Sequence, residues 1–182
     1  MRNARDFMIT VLVLALAGVA AGALWSFAAP RPPYVMTEQG PRLADPSTQA
    51  LIAADGWFAV VTGVVGLACG AAGYSVSRRG RPLPTVVGLA AGGLLGAHLA
   101  RLVGEAVNVG AVSVTASGPS ASLMPGPLAV TAQGVLYAWP TLAVGLFFAL
   151  EGITGYLDSP LRRPFGGADP YGPLSSYDIS GR

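Results

Sequence analysis

Long apolar stretches alternate with short polar ones four times along the chain, over residues 7–29, 56–76, 85–107 and 130–153. Each is about 20 residues long, and at 1.5 Å per residue a helix of that length crosses a hydrocarbon core of roughly 30 Å. The first run follows Arg2 and Arg5. A cleavable signal peptide has an apolar core of only about 7–15 residues. The length of this run therefore favours a retained anchor, although Ala21-Gly22-Ala23 resembles a cleavage site. The second run is entered through Asp55-Gly56-Trp57-Phe58 and ends at Ser77-Arg78-Arg79-Gly80-Arg81, and the third follows Pro82-Leu83-Pro84. Pro140 falls inside the fourth run, where its missing N–H predicts a bend that neighbouring helices would have to satisfy.

The polar segments between the runs carry weaker signals. Tyr34-Val35-Met36-Thr37 and Arg42-Leu43-Ala44 flank Glu38-Gln39-Gly40-Pro41, the pattern of a small β-hairpin or turn. Ala111-Val112-Ser113-Val114-Thr115 has the composition to pair with Leu128-Ala129-Val130-Thr131, which would give the bundle a small cap. Thr37-Glu38-Gln39-Gly40 and Thr131-Ala132-Gln133-Gly134 match at three positions, as a duplication of two helix pairs would leave behind. After Asp158 the sequence turns rich in Pro and Gly and has no apolar run, as a flexible tail would be. The expected fold is an all-α integral membrane protein. It comprises a four-helix transmembrane domain over residues 1–158, with short, partly β-like extracytoplasmic loops, and a disordered cytoplasmic tail over residues 159–182.

Composition agrees with this pattern. Of 182 residues, 52% are hydrophobic and 11% charged, against roughly 25% charged in soluble domains. That excludes a disordered chain, a disulfide-stapled secreted module and most cytosolic enzymes. The net charge of +2 is too small to argue for nucleic acid. All eleven basic residues are Arg, which points to a GC-rich, actinobacterial type of genome. Eight of them (Arg2, Arg5, Arg78, Arg79, Arg81, Arg162, Arg163, Arg182) fall on one side of the expected topology, and Arg31 and Arg42 on the other. The positive-inside rule then places both termini in the cytoplasm of a bacterium, with the chain in its plasma membrane. Cys69 is the single cysteine; it has no disulfide partner and reads as a small hydrophobe.

Glycine spacing suggests how the helices pack. The third run places Gly88, Gly92, Gly96, Ala100 and Gly104 at unbroken four-residue intervals, and the second places Ala59, Gly63, Gly66, Gly70 and Gly73 in alternating fours and threes. Small residues in such rows let helix backbones approach closely in lipid, where packing drives association. The third run also holds the only intramembrane polar constellation, His98, Arg101 and Glu105. With Gly96 at zero these lie near ~200°, ~140° and ~180° at about 100° per residue, opposite the glycine row. Asp55 sits at a depth suited to pairing with Arg101. One role for the cluster is structural, with Arg101 bonded to Glu105 one turn away. The other is a proton or ion path, since ionisable groups cost at least about 2.5–3.5 kcal/mol at bilayer depth and are seldom idle there. The apolar stretch from Thr85 to Gly96 favours the structural role.

No HExxH, CxxC or GxxxxGK[ST] motif is present and there is one His, so zinc hydrolysis, thiol redox and P-loop chemistry lack their ligands. No catalytic, metal or cofactor-binding set is expected, and the chain reads as a non-enzyme. Tyr34-Val35-Met36-Thr37-Glu38-Gln39-Gly40 followed by Ile52-Ala53-Ala54-Asp55-Gly56-Trp57-Phe58, with Trp139-Pro140 opening the fourth span, resembles a family of small, uncharacterised actinobacterial membrane proteins. That resemblance covers residues 8–155 and implies a four-span envelope protein, with no activity or cofactor attached. The leading expectation is a non-catalytic accessory or scaffolding subunit of a respiratory, transport or cell-envelope complex, in contact with lipid and other membrane subunits. The alternative is a small transporter or channel with a proton- or anion-linked path along His98, Arg101 and Glu105.

Overall fold

A computed structural model describes residues 2–44, 47, 49–77, 82–107 and 124–159. The helices are α1 (Arg2–Ala28), α2 (Gln49–Ser77), α3 (Pro82–Val107) and α4 (Ala138–Leu157), the last preceded by a 3-10 turn at Gln133–Tyr137. Among the described residues, four spans are long and apolar enough to cross a membrane, the fourth counted from Gln133. α2 begins at Gln49, well before the expected 56, because Ala50-Leu51-Ile52-Ala53-Ala54 continues the helix to the apolar run. The fourth span differs most. Residues 128–132 are not helical, and Pro140 falls in the first turn of α4, where early N–H groups lack helical partners anyway. The expected mid-helix bend at Pro140 is therefore replaced by a tolerated N-terminal proline.

The expected hairpin forms. Strands β1 (Pro33–Thr37) and β2 (Gly40–Leu43) pair antiparallel around the two-residue turn Glu38-Gln39, with Thr37 opposite Gly40. A third strand, β3 (Met124–Pro125), pairs with β1 through Tyr34 and Met124, giving the order β2-β1-β3. Leu128–Thr131, expected as a strand, is not one; its expected partner Ala111–Thr115 lies outside the described residues, as does all but Ser159 of the expected tail. The two matching quartets adopt different backbones. Thr37 and Gly40 close a hairpin, whereas Gln133 and Gly134 open a 3-10 turn, so the sequence match carries no shared local structure.

The close helix partners are not neighbours in sequence. α1 lies on α3, and α2 on α4. Along α1 and α3, Thr10 faces Gly88, Leu14 faces Gly92, Gly18 faces Gly96 and Gly22 faces Ala100. Partners advance together on both helices, so the pair is parallel along its length. A Cβ added at Gly18 or Gly22 would run into the carbonyl of Gly96 or Ala100. This is the approach that small-residue rows permit, and it brings Cα–H groups to facing carbonyls. α2 and α4 repeat the arrangement, with Gly66 against the Trp139 carbonyl at 2.7 Å and Gly70 against that of Ala143 at 2.5 Å, measured from the Cβ each lacks. The α2 row is split, however: Gly63, Gly66 and Gly70 serve α4, while Gly73 faces Leu89 and Thr85 of α3.

Aromatic rings lock the pairs together. Trp25, fully buried, donates its indole N–H to the Ala54 carbonyl at 3.0 Å and meets Phe58 edge-on at 5.2 Å, tying the end of α1 to the start of α2. Phe147 meets Tyr74 edge-on at 6.1 Å, and the Tyr74 hydroxyl donates to Thr154 at 2.9 Å, tying the far end of α2 to α4. Trp139 fills the centre, its ring reaching the backbones of both Gly66 and Gly96.

Gly22→Val should destabilise the bundle by at least the ~1–3 kcal/mol typical of overpacking, since backbone cannot step aside as a side chain can. Gly145 has open space around its missing Cβ, so Gly145→Val should be near neutral. Thermal unfolding of both variants in one detergent checks the contrast; equal effects would contradict the parallel α1–α3 contact.

Candidate functional site

Asp55 stands in the second turn of α2, with 5% of its surface exposed. Its Oδ1 accepts the Thr131 N–H at 2.9 Å, and its Oδ2 accepts the Thr131 hydroxyl at 2.5 Å and the Ala132 N–H at 2.9 Å. The expected partner was Arg101. The structure instead gives Asp55 to the backbone just before the fourth span. The physical reason is that residues 128–132 are irregular, so their N–H groups have no helical partner, and Leu128 and Val130 are buried against the bundle. Non-helical backbone beside an apolar core must find acceptors within the protein. Ala132, at the N-cap of the 3-10 turn, supplies no side-chain cap of its own. Asp55, on another helix, accepts the two N–H groups that lead into this turn, those of Thr131 and Ala132.

Glu105 completes the grip from α3. Its Oε1 accepts the Val130 N–H at 3.2 Å and the Arg101 Nε–H at 3.0 Å. The expected Arg101–Glu105 pair is therefore present, and its carboxylate also serves the chain between β3 and α4. Three consecutive backbone N–H groups, of Val130, Thr131 and Ala132, are held by two carboxylates from two helices.

His98 is not part of this assembly. It is exposed, and its Nδ1 lies 3.0 Å from the Leu94 carbonyl of its own helix. It sits in a row of outward residues, between Leu95 (44% exposed) and Leu102 (60% exposed), with Val87 further along. Around His98, the face opposite the glycine row is thus, among the described residues, an exposed apolar stripe interrupted by one imidazole. The three polar residues that share a sector of the helical wheel divide because Arg101 and Glu105 lie toward residue 130 and His98 does not.

Among the described residues, the interior is filled mainly by apolar side chains. Leu89, Ala97, Trp139, Ala143 and Phe147 fill it, and the buried Thr62 donates to the Phe58 carbonyl at 2.7 Å. Two buried polar atoms, the Trp139 Nε1 and the Ser26 hydroxyl, have no hydrogen-bond partner among the described residues. No three His, Cys, Asp or Glu side chains among the described residues lie close enough together to hold a metal. Sequence patterns also gave no sign of a cleft between α1 and α2, described below, because it arises from how two helices diverge.

No protein-family model, curated protein or solved structure matches this chain.

Asp55→Ala should leave the Thr131 and Ala132 N–H groups without acceptors, at about 1–3 kcal/mol for each orphaned donor. Asp55→Asn keeps an acceptor oxygen and should lose less. Unfolding in detergent, combined with amide exchange at Thr131 and Ala132, reads both effects; unchanged exchange in the alanine variant would refute the clamp.

Proposed function

We propose that the chain is a non-catalytic accessory subunit of a larger bacterial plasma-membrane assembly, multi-pass with both termini cytoplasmic, and that it docks through the outward face of α3. The observation that carries this reading is His98. An ionisable side chain about two-thirds of the way along a membrane-length helix, on an apolar stripe and bonded, among the described residues, only to its own backbone, is costly against lipid. A partner helix with a carboxylate, hydroxyl or carbonyl facing the imidazole Nε2 removes that cost. The other polar groups of the helix are engaged locally: Arg101 and Glu105 hold each other and residue 130, which suits a structural role better than a conducting one. The packed interior likewise gives the transporter reading less support. The distribution of arginines supports cytoplasmic termini.

The test is a photo-crosslinking amino acid placed at Leu95 or Leu102 and, as a control, at Val60 on the exposed face of α2. In native membranes the α3 positions should give a discrete protein adduct whose yield falls several-fold with His98→Ala, while Val60 gives none. Lipid adducts alone at all three positions would overturn the docking face. Reporter fusions that place either terminus outside the cytoplasm would overturn the orientation.

A further inference from the structure

At the end of the bundle away from the hairpin, α1 and α2 part, and a cleft of about 570 Å³ opens between them. That volume is within the roughly 300–1,000 Å³ of small-molecule sites. The divergence follows from the packing. α1 is bound to α3 through Thr10 on Gly88 and Leu14 on Gly92, while α2 touches α3 through Gly73 on Leu89. α3 therefore stands between them, and Leu89 lines the floor.

The cleft has a polar end and an apolar one. Arg5 and Asp6 on the first turns of α1, Ser77 at the end of α2 and Thr85 at the start of α3 lie at the outer level. Val13, Leu14 and Cys69 lie two or more turns further along their helices, about 12 Å at 1.5 Å per residue. Ile9, Val13 and Val76 line the cleft and are each more than half exposed, so it opens sideways, toward the bilayer. A ligand arriving there comes from the plane of the membrane, with an apolar body reaching inward and a polar group at the level of Arg5.

Charge selects the head group. Among the described residues that line the cleft, Asp6 is the acidic side chain; it lies 3.9 Å from Arg5, whose side chain is 71% exposed against 39% for Asp6. In the sequence, Ser77 is followed by Arg78-Arg79-Gly80-Arg81, which is basic. Basic pockets between transmembrane helices suit phosphate head groups. We propose that the α1–α2 cleft binds one anionic phospholipid, its phosphate beside Arg5 and the upper part of one acyl chain against Val13, Val76 and Leu89.

The test uses the full chain, purified in mild detergent and stripped of lipid. Native mass spectrometry should show one phosphatidylglycerol bound per chain, several-fold more tightly than phosphatidylcholine, and inorganic phosphate should not displace it. Ala72, an exposed small residue on the cleft wall, gives a blocking variant: Ala72→Phe should weaken binding about tenfold, and Arg5→Gln should abolish the preference for the anionic lipid. Cys69, the chain's only cysteine, lines the cleft and reports on the unaltered protein. Phosphatidylglycerol should slow its alkylation by a small maleimide several-fold, and phosphatidylcholine should not. Equal binding of the two lipids, displacement by phosphate, full binding by a folded Ala72→Phe, or alkylation indifferent to phosphatidylglycerol would each overturn the proposal. If Ala72→Phe does not fold, the Cys69 measurement decides alone.

Discussion

The approach of α1 to α3 at Gly18–Gly96 and Gly22–Ala100 is the constraint from which the rest of the architecture follows. Lipid tails are as apolar as leucine, so no hydrophobic force selects one helix partner over another within the membrane. Selection falls to how closely two backbones can come. Once α3 is held along its whole length by α1, its orientation is fixed and its opposite side must face outward, with His98 on it. The same contact sets α3 between the far ends of α1 and α2, where the cleft lies. Near the hairpin the two helices are drawn together instead by the Trp25 bond to Ala54.

A second requirement, the satisfaction of backbone polar groups, explains the buried acids. The chain from β3 into the fourth span is irregular and rests its Leu128 and Val130 side chains on the bundle. Its N–H groups are therefore turned toward an interior with little water. Asp55 and Glu105 are placed where those donors arrive. Their carboxylates thus act as structural acceptors supplied by α2 and α3, with stronger bonds than neutral acceptors would make.

These two requirements differ in how visible they are in a sequence. The spans, the hairpin at residues 33–43 and the small-residue rows were readable because each is a local periodicity or turn pattern. The Arg101–Glu105 pair was readable for the same reason, being one helical turn. The partner of Asp55 was not, because Thr131 lies 76 positions away and no spacing rule links a helical acid to a distant irregular segment. The wheel correctly opposed the polar residues of α3 to its glycines, but it could not say which of them would be met by another chain segment. Nor could the glycine row of α2 reveal that Gly73 serves a different neighbour from Gly70, since both partners satisfy the same spacing.

The contrast between Glu105 and His98 connects the fold to the proposed docking role. Both lie on the side of α3 turned away from α1, and both carry groups that are costly in hydrocarbon. Glu105 is met within the chain by Arg101 and Val130, whereas among the described residues His98 has only Leu94 on its own helix. A helix surface intended solely for lipid has no use for an imidazole between Leu95 and Leu102. A surface meant for another helix does, because one directional hydrogen bond fixes the register of two otherwise interchangeable apolar faces. Within the chain that register comes from interlocked glycines. On the outer face of α3, where Leu95 and Leu102 keep a neighbouring backbone at a distance, a polar side chain is the remaining means of setting it.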